Sequence, residues 1–191
     1  MLKWLAKTMF GKSFFELCEK GTAHDVSEAL KGGADIHARN EKGMTGLMLA
    51  ARGNKPEVVK VLLENGADIR ARSNAGGTAL MCAAASNSNP AMAKVLLAAG
   101  ADVNVKDNAD MTALMCAARC NLNPEVVNVL LEGGADIGDE EEASALIFAA
   151  YANPNPEVMM ALLAAKNPYF EQIKEKIRSY GSGEGAAGSR S

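Results

Sequence analysis

The sequence predicts an all-α solenoid of about five stacked helix–loop–helix units with polar capping ends. Three recurrences carry that expectation. The heptapeptide TALMCAA stands at 78–84 and again at 112–118, 34 residues on, with echoes TGLMLAA at 45–51 and SALIFAA at 144–150. The tetrapeptide GAD[IV] begins at Gly33, Gly66, Gly100 and Gly134, at spacings of 33, 34 and 34. A Pro-Glu pair or its equivalent begins at Pro56, Pro90, Pro124 and Pro156. The markers keep one order in every unit, and self-similarity at a period of about 20–50 residues is the signature of a stacked array.

Residues 1–11 form an N-terminal amphipathic segment. Leu2, Leu5, Met9 and Phe10 fall near helical spacing beside Trp4, which suits packing on the first unit. An apolar aromatic face with two lysines also suits a membrane surface or a partner. Lys7 interrupts the apolar run and no small-residue cleavage site follows, so the segment does not read as a secretion signal. The array spans 12–167, in units of about 12–41, 42–74, 75–108, 109–141 and 142–167.

Each unit opens on a helix. Thr45, Thr78, Thr112 and Ser144 are good N-cap types, and Leu47, Ala50 and Ala51 fall at i, i+3 and i+4. The Ala-Ala pair lets this helix approach a neighbour closely. A second helix starts at Asn-Pro (Asn89, Asn123, Asn155), with Lys55 before Pro56 as the weaker version. Asn suits the N-cap and Pro the first helical position, where its missing N–H costs nothing. The glycine of GAD supplies the left-handed residue that stops the helix. An extended polar loop, such as DVNVKDNADM, leads to the next unit. Neither helix buries its apolar side alone, so stacking supplies the missing partner.

The ends differ as capping requires. The first unit puts Ala23, Asp25 and Glu28 where the second has Pro56, Val58 and Val61. Residues 168–180 read as a C-terminal capping helix with Phe170, Ile173 and Ile177 on one face, and 181–191 as a flexible Gly/Ser-rich tail.

Composition excludes several classes. The chain is 48% hydrophobic and 23% charged with a net charge of −3, which is an ordinary folded balance and carries no overall basic field for nucleic acid. No run of 18 or more apolar residues occurs, so no transmembrane segment is expected. Cys18, Cys82, Cys116 and Cys120 lie in apolar helical patterns, as reduced thiols of a cytoplasmic protein do.

Catalytic residues are not found. His24 and His37 read as solvated polar groups rather than general bases. Cys116 and Cys120 sit at i, i+4, but zinc needs further ligands at suitable spacing, and Cys116 shares its slot with Leu49, Cys82 and Phe148. Met48, Met81 and Met115 share another slot and read as core. The acidic run GDEEEAS (138–144) lacks the alternating ligands and turn glycine of a calcium loop. It also shortens the last extended loop, since Ile137 to Ser144 is 7 residues where Ile36 to Thr45 is 9. No phosphate loop is present, and neither a cofactor nor a metal is expected.

These units resemble the ankyrin-repeat family, whose pattern runs D-x-x-G-x-T-P-L-H-x-A-A, G-x-x-E-V-V-x-x-L-L, G-A-D-V-N. The family's Pro after Thr is replaced by Gly46, Ala79, Ala113 and Ala145, and its His, which bonds between loops, by Met48, Met81, Met115 and Ile147. The implied consequence is that apolar packing replaces a polar network. The extra residue behind the 34-residue period lies between the helices, and the NxNPEVV style resembles bacterial members.

The resemblance implies a non-enzymatic protein–protein interaction module that binds a partner through the concave face, as a scaffold, an inhibitor or immunity protein, or a delivered effector. Carried over position by position, that face takes Arg39, Lys42, Met44, Arg72, Lys106 and Met111 from the extended loops, and Arg52, Arg119 and Tyr151 from the loop after each inner helix. Arg39, Arg72 and Lys106 form a row about 10 Å apart, meeting the acids Glu140, Glu141 and Glu142. Met44, Met111 and Tyr151 are the expected apolar anchors. Arg72→Glu with Lys106→Glu is expected to weaken binding without lowering thermal stability. The alternative is a membrane-peripheral or nucleic-acid adaptor using Lys3, Trp4, Lys7 and the basic row. A monomer is expected.

Overall fold

Local capping chemistry divides the chain into ten short helices among the residues that the computed structural model describes, namely 13–53, 55–137 and 144–166. In order they are α1 (Phe14–Lys20), α2 (Ala23–Lys31), α3 (Gly46–Gly53), α4 (Pro56–Glu64), α5 (Ala79–Ser86), α6 (Pro90–Ala98), α7 (Ala113–Cys120), α8 (Pro124–Glu132), α9 (Ser144–Ala152) and α10 (Pro156–Lys166). The segments 1–11, 168–180 and 181–191, and the acidic run up to residue 143, lie outside the described residues.

The start signals act largely as their residue types require. Thr78 and Thr112 accept from the amides of Met81 and Met115, and Asn89 and Asn123 cap α6 and α8 with proline next in line. Lys55 makes no side-chain cap. Ser144 is the first described residue of α9. The first unit carries a feature beyond the expected polarity. Ser13 with Glu16, and Thr22 with Asp25, form reciprocal capping boxes at α1 and α2. Asp25, standing in a valine slot, therefore serves the start of its own helix.

The hairpins stack in two layers. The inner helices α1, α3, α5, α7 and α9 pack in sequence on one another, and the outer helices α2, α4, α6, α8 and α10 do the same behind them. Ala50, Ala51, Ala84, Ala117 and Ala118 are fully buried between inner helices, where small side chains permit close approach. Leu47, Leu80 and Leu114 repeat as buried core, as do Val58, Leu62, Met92, Leu96, Val126 and Leu130 from the outer layer. Each fully buried Leu or Val contributes about 1.5–3 kcal/mol. Met48 and Met81 are buried as expected, and Met115 packs half-buried against the same core.

Candidate functional site

The extended loops fold into fingers that project beyond the helices, and each is shaped by its own polar side chains. In the first, Asn40 Oδ1 accepts from the amides of Lys42 and Met44, both at 3.0 Å, and the Asn40 amide donates to the Met44 carbonyl at 3.0 Å. Asp107 repeats this in the third finger, accepting from Ala109 (2.8 Å) and Met111 (3.0 Å). The turn needs a left-handed residue, supplied by Gly43 (φ 69°), Gly76 (φ 78°) and Asp110 (φ 58°).

Successive fingers are joined to one another. The Asn74 amide donates to the Lys42 carbonyl and its Nδ2 to the Glu41 carbonyl (3.0 and 3.1 Å). Asn108 does the same one unit on, to Ala75 and Asn74. The two arginines of the predicted row extend this joint. Arg39 Nη1 donates to the Gly43 carbonyl (2.9 Å) and to the Arg72 carbonyl (2.6 Å). Arg72 Nε donates to Gly76 (3.0 Å), and its Nη2 to the Lys106 carbonyl (2.5 Å). Both heads are therefore anchored to the framework, so the expectation that Arg72→Glu leaves stability untouched does not fit its bonding.

The other predicted positions divide by exposure. Lys42 and Lys106 are exposed, and among the described residues no carboxylate pairs with either. Met44 is half-buried against the core. Met111 is 8% exposed, which leaves little of its side chain to serve as an apolar anchor. Arg52, half-buried, pairs with Glu19 at 2.5 Å. Arg119 is exposed and donates from Nε to Cys120 Sγ at 3.4 Å. Tyr151 is 91% exposed. Leu122, 59% exposed in the loop after α7, was not anticipated. Glu140, Glu141 and Glu142, like Lys3, Trp4 and Lys7, lie outside the described residues.

Four of the nine predicted residues meet in one pocket of about 490 Å³ between the first finger and helices α1 and α3. Phe15, Leu49 and Met44 supply its apolar surface, Arg39 and Lys42 bring positive charge beside the acid Glu41, and Arg52 lines it while paired with Glu19. Arg72 lines a separate pocket of about 420 Å³ with Arg70 and Asp102. Lys106, Arg119 and Tyr151 border neither pocket.

A second polar ladder runs through the loops between the helices. Asn87 Nδ2 donates to the Ala51 carbonyl (3.2 Å). Asn121 Nδ2 donates to Ala84 (2.8 Å) and Asn87 (3.1 Å), and Asn153 Nδ2 to Ala118 (2.9 Å) and Asn121 (2.7 Å). Asn123 and Asn155 add bonds to the Ser88 and Leu122 carbonyls, both at 2.7 Å. The polar network between units is thus present, carried by asparagines rather than by the histidine slot. That corrects the expectation that apolar packing replaces it.

The groups with chemical potential are dispersed. His24 and His37 are exposed on α2 and in the first finger. Burial pushes the Cys18 thiol up to about 12 and those of Cys82 and Cys116 up to about 11, away from the thiolate form that reacts or binds metal. Among the described residues, no group of three His, Cys, Asp or Glu is placed to hold a metal ion.

A family model of three ankyrin repeats matches residues 14–107 and again 84–172. The stacked hairpins with projecting fingers, together with a match covering most of the chain, place this protein in the ankyrin-repeat family. Comparison with curated proteins yields no significant match. Ankyrin repeats are generally protein–protein interaction modules and are typically non-enzymatic. No helix among the described residues is long and apolar enough to cross a membrane.

Proposed function

We propose that this chain is a non-enzymatic binding module that holds a partner protein on the face formed by the fingers and the inner helices. The observation that carries the reading is the pocket where Phe15, Leu49 and Met44 meet Arg39, Lys42 and Arg52. Apolar surface ringed by charge is the composition of an interface core and rim. Farther along the inner helices, Arg119 and Tyr151 are exposed residues of the types that dominate binding energy. The finger joints and the asparagine ladder between the helices hold these side chains on a stiff scaffold, which lowers the ordering cost of binding.

The test is capture from the source organism's lysate with the wild type beside a Lys42→Glu, Arg119→Glu, Tyr151→Ala variant. Among the described residues none of these three side chains donates to another unit, so the variant should keep its melting temperature. A protein retained by the wild type and lost by the variant supports this face. A protein retained equally by both, at equal melting temperature, contradicts it.

A further inference from the structure

The bonding of the arginine row bears on what kind of partner the proposed face takes, and the inference rests on that reading of the face. Among the described residues, the ion pairs are Lys31 with Glu28 and Arg52 with Glu19, so Arg39, Lys42, Arg72, Lys106 and Arg119 stand without a carboxylate at ion-pair distance. Carbonyl acceptors fix Arg39 and Arg72 in place but do not neutralise them. A guanidinium has five N–H donors. Arg39 engages through Nη1 and Arg72 through Nε and Nη2, so each retains a nitrogen with donors to offer. Although the chain carries −3 overall, its first two fingers hold the guanidinium groups of Arg39 and Arg72 in fixed positions, and the third adds the exposed Lys106 beside Asp107 and Asp110. Fixed charges of this kind steer the oppositely charged groups of a partner.

Repeat geometry then sets a ruler. Packed helix layers lie about 8–10 Å apart, and three residues of extended chain span about 10 Å. We propose that the occupant is an extended acidic segment of a partner protein with a carboxylate at about every third residue, crossing the fingers so that successive carboxylates meet Arg39, Arg72 and Lys106. The acids on the fingers sharpen the spacing. Glu41 lies in the pocket beside Arg39, and Asp110 is exposed at the third turn. Both penalise an uninterrupted acidic run, since like charges placed together suppress wrong partners. Asp107 adds to this penalty beside Lys106, since the two amides that its Oδ1 accepts fix the carboxylate without neutralising it.

The test uses the full chain and three labelled peptides of equal length, followed by fluorescence anisotropy at low and physiological salt. One peptide carries Glu at every third position, one carries the same glutamates in a single block, and one carries Lys at every third position. The spaced acidic peptide should bind about tenfold tighter than the blocked one, the gain of one charge-assisted hydrogen bond. The lysine peptide should not bind. Lys106→Glu should weaken the spaced peptide about tenfold at unchanged melting temperature. Equal affinity for spaced and blocked peptides would overturn the ruler. An oligothymidylate of equal charge binding more tightly than any peptide would replace a protein partner with a phosphate backbone. No binding of either acidic peptide at millimolar concentration would overturn the acidic class. The lysate capture judges the face itself separately.

Discussion

Asn121 joins its unit to the one before through a single side chain that is 3% exposed. Its Nδ2 donates to two carbonyls of the preceding unit, and its Oδ1 accepts from the Asn123 amide at 3.0 Å. Asn121→Ala would strand all three partners, at a cost of about 1–3 kcal/mol. A urea midpoint equal to wild type would show that water replaces the amide. Arg72 illustrates the same logic at an exposed site. Arg72→Glu loses the bonds to Gly76 and Lys106 and sets a carboxylate against their carbonyls, so a lower melting temperature is expected. Lys106→Glu, which breaks no such bond, should leave it unchanged. Equal melting temperatures for the two variants would mean that Arg72 is no more structural than Lys106.

Turns separate backbone strain from crowding. Gly66 stops α4 at φ 88°, and a Cβ there would meet nothing within 4 Å. Gly66→Ala therefore costs only the left-handed penalty, about 1–2 kcal/mol. Gly43, at φ 69°, sits against the next finger, where a Cβ would lie 2.1 Å from Asn74 Oδ1 and 2.8 Å from its amide nitrogen. Gly43→Ala should lose clearly more, measured by denaturation of both variants; a smaller loss than Gly66→Ala would mean that the fingers yield freely. Asp110 occupies the equivalent turn, and the finger after it, two residues shorter, contains no asparagine. The helices themselves were legible because their signals are local: Thr or Asn at the cap, Pro next, Gly at the stop. The ladders were not, because their partners lie 32–37 residues away. The NxNP pattern was visible, yet its second asparagine reads sufficiently as a helix cap. Only alignment of Asn87, Asn121 and Asn153 by the period exposes their shared task.

Stacking places three thiols in the inner layer, Cys18 buried and Cys82 and Cys116 half-buried. In the folded chain Cys18, Cys82 and Cys116 titrate at about 12, 11 and 11, against 9.0 for a free thiol. Burial is the leading cause in each, and near Cys82 the positive charge of Arg52 partly offsets it. Because the folded values are raised, this stabilisation is complete below pH 9.0 and is lost as pH rises through 11 to 12. The urea midpoint should fall between pH 8 and pH 10.5, and less steeply in a Cys82→Ala, Cys116→Ala variant. A flat midpoint would mean that the buried thiols do not couple to folding. The binding face was partly legible by the same measure. The period places Arg39, Lys42, Met44 and Arg52 on one side, and the structure gathers them in one pocket. Exposure is not periodic, however. Met44 and Met111 share a slot, but Met44 is half-buried where Met111 is 8% exposed.

The most direct measurement places a photoreactive benzoylphenylalanine at Tyr151, on the inner layer, and separately at Glu125, exposed on outer helix α8. Each full-length variant is then irradiated in the source lysate. A partner crosslinked from position 151 and absent from position 125 is the expected result. A partner crosslinked from position 125 and absent from position 151 would put binding on the outer helices and contradict the proposed face.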